Sequence, residues 1–227
     1  MEAIEITRYN ASTEWMTLVF LSVLFLLSWV RNTYPTRFNR LIRSMFNNQS
    51  LFQVIREELV FSHRGSIVLT FIFILLSGLF LTLTSIVFDF KIVGQNESFL
   101  VQFGYWNLLI LFIYLFKWVI NGLFLSLIQQ NDYFKTYMFV VSTFNKIIGL
   151  MLLPITILAA YLPMDYAAVI IKTGFFLWAI ILIYRLIKEV SLSISFKIPG
   201  LYIILYLCAF EISPFLIGLK LVSFINI

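Results

Sequence analysis

Charged residues, cysteine, histidine and proline are all scarce in this sequence. Only 12% of its 227 residues are charged, whereas a typical soluble domain has about 25%. One Cys, nine Gly and five Pro argue against a disulfide scaffold, a collagen-like repeat and a disordered chain. Because 61% of the residues are apolar, we expect an all-α, polytopic transmembrane helical bundle that forms one domain over residues 1–227.

The motifs of common enzyme classes are also missing. We find no P-loop, dinucleotide fingerprint, nucleophile elbow or zinc-protease motif. His63 is the one histidine, and a metal site needs more ligands than that. Cys208 has apolar neighbours, which favours a plain buried thiol. Since Glu211 is the one carboxylate deep in a predicted span, paired acids are lacking, and we expect no enzymatic activity, cofactor or metal.

Long apolar runs dominate what is present. A spanning helix needs about 20 mostly apolar residues, because the hydrocarbon core is about 30 Å thick. Six runs are long enough to different degrees, at residues 15–30, 67–88, 104–128, 138–162, 168–187 and 201–225. The first, with 16 residues, covers only about 24 Å and needs local bilayer thinning. The acidic stretch before it disfavours a cleaved signal peptide.

Basic residues orient these six spans. They concentrate between the first two spans and in the other segments on the same side: Arg31, Arg37, Arg40, Arg43, Arg56, Arg64, Lys135, Lys188 and Lys197. The other side receives only Arg8, Lys91 and Lys172. The positive-inside bias therefore predicts that this basic side is cytoplasmic and that both termini face outward. The net charge of +5 indicates anionic lipids at the cytoplasmic face and not nucleic acid.

The cytoplasmic segment 31–66 contains an amphipathic pattern. Phe38, Leu41, Ile42, Met45 and Phe46 fall on one helical face, and Arg37, Arg40 and Arg43 fall on the other. This pattern is typical of a helix that lies in the membrane interface. Two readings remain open: a packed connector between spans, or a surface on which a partner docks.

Polar residues inside the spans form a candidate cluster. They are Lys117, Asn121, Asn145, Lys146 and Glu211, and Lys117 and Glu211 fall at nearly the same depth of two antiparallel spans. A charge at bilayer depth is costly, so the presence of charged residues in this cluster calls for a structural or functional explanation. One reading is a Lys–Glu pair that fixes helix assembly. Another is an anion site of net +1 charge, and a third is a proton relay through Glu211.

Two prolines lie inside predicted spans. Pro154 and Pro214 each remove a backbone hydrogen bond and favour a kink. Kinks of this kind mark hinges in transporters, and they also occur in static bundles. The sequence leaves both readings open.

The C-terminal part of the chain resembles a known family. The segment from Leu205 to Pro214 reads LYLCAFEISP, and Lys220 follows. It is similar to the closing pattern LYLC-x-LEI-x-P of domain of unknown function 4271, an uncharacterised integral membrane family of Bacteroidota. Phe210 stands where that pattern has Leu, and Ser213 where it has an apolar residue. The stretch NKIIGLMLLP, ending at Pro154, and the position of Lys117 resemble the family as well.

The resemblance implies a location in the bacterial inner (cytoplasmic) membrane, so that both outward-facing termini would lie in the periplasm, and it implies no mechanism. Together with the small polar fraction, it leads us to expect a subunit or scaffold of a bacterial envelope complex that contacts other membrane proteins or its own copies. The alternative is a small transporter, or a protein that binds anionic lipid or a small anion through the Lys/Glu cluster.

Overall fold

The computed structural model is helical throughout the part it describes, which is residues 13–36, 38–39, 64–88, 99–128 and 131–195. Within these ranges lie five helices and no strand: α1 (Thr13–Thr33), α2 (Arg64–Val87), α3 (Phe99–Ile128), α4 (Asn131–Tyr161) and α5 (Met164–Ser195). All five are long and apolar enough to cross a membrane, which confirms the predicted fold class. The sixth predicted span, residues 201–225, lies outside the described residues.

Successive helices run in opposite directions. The ring of Tyr34, just after α1, packs on Gly65 at the start of α2, 3.0 Å from where a Cβ would lie. At the other end, the hydroxyls of Thr17 in α1 and Tyr161 in α4 are 2.8 Å apart. We call the end where α2 and α4 begin the basic end, because Arg31 and Lys188 lie there.

Parallel helices α2 and α4 form the centre of the bundle. They approach closely at Gly149, where a Cβ would lie 2.9 Å from the Cα of Phe73. Helix α5 joins them at Gly174, whose missing side chain makes room for the ring of Phe80. The Phe80 ring also contacts Phe175, at 4.9 Å between centroids. Small residues thus set the places where these helices meet, as is common in membrane bundles.

Each described helix is longer than the span predicted from its apolar run, because it extends further at one end or at both. Helix α1 has 21 residues and needs no bilayer thinning, unlike the 16-residue run that predicted it. Helix α4 already begins at Asn131 and α5 continues to Ser195, so Lys188 belongs to a helix. A span predicted from hydropathy stops at the first charged residues. The helix itself continues past them, because its backbone hydrogen bonds do not depend on the polarity of the side chains.

The predicted interfacial segment is described only at its edges. Residues 31–33 belong to α1, and the backbone N–H of Phe38 donates to the Tyr34 carbonyl at 3.1 Å. Phe38 packs against the core. Arg37, Arg40 and Arg43 lie outside the described residues, so the amphipathic helix stays a prediction.

Candidate functional site

The structure describes three of the five residues in the predicted polar cluster. Lys117 is half-buried on α3, Asn145 is half-buried on α4, and Lys146 is buried beside it. The side chain of Asn121 and the whole of Glu211 lie outside the described residues. The grouping of all five residues therefore stays a prediction.

Of the two prolines predicted to kink their helices, the structure describes Pro154. Helix α4 continues through Pro154, and this proline faces outward. Its neighbour Thr156 is buried, and its hydroxyl donates to the carbonyls of Leu152 and Leu153, both at 2.9 Å. Pro214 lies outside the described residues.

Lys146 is held inside the bundle. Its side chain is only 2% exposed, and its ammonium donates a hydrogen bond of 2.6 Å to the hydroxyl of Ser66 in the first turn of α2. The close approach of α2 and α4 at Gly149, one turn away, makes this reach possible. The side chain is buried, and its ammonium reaches toward the basic end of the bundle, to the first turn of α2.

A polar stripe continues from Lys146 along α4. Thr143 is three residues earlier and Thr136 seven residues before that, so all three share one helical face. Thr143 is 1% exposed and Thr136 is also buried. The hydroxyl of Thr143 has no hydrogen-bond partner among the described residues. Such an unsatisfied buried hydroxyl is uncommon and calls for an explanation.

A buried ion pair on α5 was missed by the sequence reasoning. The Arg185 guanidinium Nε lies 2.6 Å from the Glu189 carboxylate Oε1, and both side chains are almost fully buried. The predicted span ended at Ile187, which placed Glu189 in water. The i, i+4 spacing places Arg185 and Glu189 on the helical face that buries Ile171, Ile181 and Leu192, but spacing alone does not indicate whether the polar end of that face is buried.

The buried charges of α4 and α5 lie at similar depth. The rings of Phe144 and Tyr184 are 5.9 Å apart, which fixes the level at which the two antiparallel helices meet. Lys146 and Arg185 flank these two residues, so their Cα atoms differ by only about 4.5 Å along the bundle axis. Further toward the basic end, the Lys188 ammonium lies 5.1 Å from the centre of the Tyr184 ring.

Lys117 reaches the same level from α3. The Asn107 side chain of α3 fills the space above Gly78 of α2, where a Cβ would lie 2.4 Å from its amide nitrogen. Ten residues later in α3, Lys117 lies about 15 Å nearer the basic end. This places its Cα level with Val68 of α2, about 3 Å along the axis from Ser66, which binds Lys146.

Comparison with known proteins places the chain in a family. The family model described as Domain of unknown function (DUF4271) matches residues 16–222. The chain belongs to this family. The match confirms the resemblance drawn from the C-terminal pattern, and it spans all five described helices. No curated protein and no solved structure matches the chain.

The chemistry of this DUF4271 chain therefore has to come from its own residues. The described ones include no group of three His, Cys, Asp or Glu side chains that could hold a metal ion. What the basic end does offer is an ammonium, a guanidinium paired with a carboxylate, and several hydroxyls. These groups can stabilise helix packing or bind an anion.

Proposed function

We propose that this chain is a non-catalytic subunit or scaffold of a complex in the bacterial inner membrane. That it is a helical, membrane-embedded member of its family follows from the fold and the family match. The further step to a subunit rests on one observation, the exposure of α3. None of the residues in its apolar stretch Phe99–Lys117 is buried, compared with 56% of those in the corresponding stretch of α2.

The outer surface of α3 is built from large apolar side chains. Leu108, Phe112, Leu115 and Val119 are all more than half exposed, and they repeat at intervals of three and four residues along one face. In a bilayer, helices associate through van der Waals packing because lipid tails are as apolar as leucine. A helix attached to its bundle along one side offers its remaining surface for such packing against another membrane protein.

The charge distribution supports the location within the proposal. The Arg-rich side of the sequence favours the cytoplasmic face, where anionic lipids attract basic residues. The termini then lie in the periplasm, and α3 presents its exposed face within the bilayer, where a partner helix would contact it.

Site-specific photo-crosslinking in the native membrane tests this proposal. A photoreactive phenylalanine analogue replaces Phe112 of α3, and matched variants carry it at Phe25 of α1 and Phe176 of α5, which are equally exposed. We expect one protein adduct of defined mass from position 112 and none from the two controls. Native mass spectrometry of the gently extracted protein should show the same partner in stoichiometric amount. Lipid adducts alone at all three positions would contradict the proposal.

A second candidate function is favoured by the burial of Lys146. An ammonium that is 2% exposed and bonded to another helix suits a protein that binds anionic lipid or a small anion. Native mass spectrometry separates the two candidates: a lone chain that retains one anionic molecule supports binding, whereas a stoichiometric protein partner supports the subunit.

A further inference from the structure

We infer that the C-terminal segment of this chain, residues 196–227, packs against α3 and that its Glu211 pairs with Lys117. The segment lies outside the described residues, and its predicted span is residues 201–225. The inference goes beyond the proposed function, because it concerns a different face of α3 from the one offered to a partner protein. Leu108 of that outer face and Lys117 are nine residues apart, which is about two and a half helical turns, so their side chains point in opposite directions.

Helix α3 is covered on a second side besides the one that meets α2. Asn107 marks the α2 side, because its amide lies over Gly78. Leu109 follows two residues later, about 200° around the helix, so it lies nearly opposite. Leu109 is nevertheless half-buried, whereas Leu108 is 67% exposed. We call this second side the Trp106 flank, and its residues repeat at intervals of three and four: Gln102, Trp106, Leu109, Ile113 and Lys117.

The cover of the Trp106 flank comes from a segment that crosses the membrane. Among the described helices, α3 packs mainly against α2, which lies on the other side. Leu109 is level with residue 76, near the middle of α2, because Asn107 meets Gly78 and the two helices are antiparallel. Outside the described ranges, the sequence has one apolar run long enough to reach that depth from either end, residues 201–225. The other such stretches, residues 1–12, 40–63 and 89–98, each carry at least three charged side chains.

The end of α5 brings Glu211 to the level of Lys117. Gly174 of α5 meets Phe80 of α2, so Ser195 lies about 32 Å nearer the basic end than Phe80. A helix that begins with Leu201 at the level of Ser195 and runs back has Glu211 about 15 Å further on, which is about 17 Å from the level of Phe80. Lys117 is about 18 Å from that level, because its Cα is level with Val68.

The connection after α5 is long enough to reach α3. Gly78, which meets α3, and Phe80, which meets α5, are two residues apart on α2. Helices α3 and α5 therefore lie on nearly opposite sides of α2, and their axes are at most about 20 Å apart. The six Cα steps from Ser195 to Leu201 extend over up to about 21 Å.

The charges and the directions of the two side chains fit a pair. Glu211 is the one Asp or Glu in residues 196–227. The segment runs antiparallel to α3, and helical side chains point back toward the start of their own helix. Lys117 therefore points away from the basic end and Glu211 points toward it, so the ammonium and the carboxylate converge from nearly equal levels. Pairing lowers the cost of each charge among apolar side chains.

Cysteine cross-linking in native membranes tests where the segment lies. Gly218 follows Glu211 by seven residues, which places it on the same face of a helix and level with Leu109. Oxidation of Leu109→Cys with Gly218→Cys, in a Cys208→Ala background, should join the two peptides in most monomeric chains, as measured by mass spectrometry. The matched control is Leu108→Cys with Gly218→Cys, on the outer face one residue away, and it should give at least tenfold less product. Equal linking in both pairs, or linking in neither, would mean that the segment does not pack on the Trp106 flank.

Exchange of the two charges tests the pair itself. Lys117→Glu and Glu211→Lys each place like charges together and should lower the Tm in detergent by about 5–10 °C. The double variant should return to within about 2 °C of the wild-type Tm. Glu211→Lys combined with Lys172→Glu, at an exposed position of α5, is the control and should not recover. If the single variants do not fold, recovery of a helical, membrane-inserted chain in the double variant carries the test by circular dichroism. A double variant no more stable than the single ones would refute the Lys117–Glu211 pair.

Discussion

Helices α2 and α3 are neighbours in sequence and in space, yet one lies at the centre of the bundle and the other at its edge. Both are long and apolar enough to span a membrane, but 56% of the apolar stretch of α2 is buried and none of that of α3 is. Small residues at the helix contacts contribute to the difference. Small residues such as Ser77, Gly78 and Ser85 are buried in α2, whereas Gly104 of α3 faces open space.

Several hydroxyls of α2 are satisfied within the helix and do not oppose its burial, whereas the buried hydroxyl of Ser77 has no hydrogen-bond partner among the described residues. The hydroxyls of Thr82 and Thr84 donate to the carbonyls of Gly78 and Phe80, four residues earlier, at 2.7 and 2.8 Å. The Ser85 hydroxyl does the same toward Thr82, at 2.8 Å. Helix α2 thus satisfies these groups itself and still presents a narrow surface to its neighbours. Apolarity brings a helix into the membrane, and its close contacts with neighbouring helices determine where in the bundle it lies.

The largest effect is expected where the core carries charge. Replacing Arg185 by Met leaves the Glu189 carboxylate in the core without its guanidinium, which should lower the free energy of unfolding by about 3–5 kcal/mol. Unfolding by denaturing detergent measures it, and the exposed Lys172→Met is the control. Adding Glu189→Met should recover most of the loss. If Arg185→Met is as stable as the wild type, the stability of the core does not depend on the Arg185–Glu189 pair.

A leucine comparison tests the contrast between α2 and α3 directly. Leu76 of α2 is 0% exposed and Leu108 of α3 is 67% exposed. Leu76→Ala should cost about 2–5 kcal/mol of unfolding free energy, because it leaves a cavity. Leu108→Ala should cost less than about 0.5 kcal/mol, because little packing is lost. Equal costs would mean that α3 is packed as tightly as α2.

A pair of glycines tests the close approach of α2 and α4. Gly149→Ala forces its new Cβ against the backbone of Phe73, 2.9 Å away, and should cost about 1–3 kcal/mol. Gly104→Ala on α3 meets nothing within 4 Å and should be neutral or slightly stabilising, since alanine favours helix over glycine. Thermal unfolding in detergent ranks the stability of the two variants, and the opposite order would contradict the close approach of α2 and α4 at Gly149.

The smallest effect is expected at the contact that attaches α3. Gly78→Ala places a Cβ 2.4 Å from the Asn107 amide nitrogen, but the amide can rotate away, so we expect a cost of about 1 kcal/mol. The loss should be local, with faster hydrogen exchange in α3 than in α4. Combining it with Asn107→Ala should restore the wild-type exchange rates. If Gly78→Ala leaves the hydrogen-exchange rates of α3 unchanged, the contact between Gly78 and Asn107 does not attach α3 to the bundle.

Part of this molecule was predictable from sequence, and part was not. The helical class, the family and the approximate positions of α1 to α5 followed from apolar runs and from the C-terminal pattern. The buried Arg185–Glu189 pair did not, because a charged pair at the end of an apolar run has the same sequence pattern whether it faces water or a neighbouring helix. The Ser66–Lys146 bond joins residues 80 positions apart, and no local pattern encodes such a contact.

The sequence by itself determined that this chain enters a membrane as helices, because 61% apolar residues in runs of about 20 leave no other stable arrangement in lipid. Only the tertiary structure decided that α2 and α4 form the centre and α3 the edge. The physical reason is that lipid and protein interior are equally apolar, so hydropathy does not distinguish a buried helix from an exposed one. The fit between Gly149 and Phe73, and between Gly78 and Asn107, does distinguish them, and such fit exists only between folded helices.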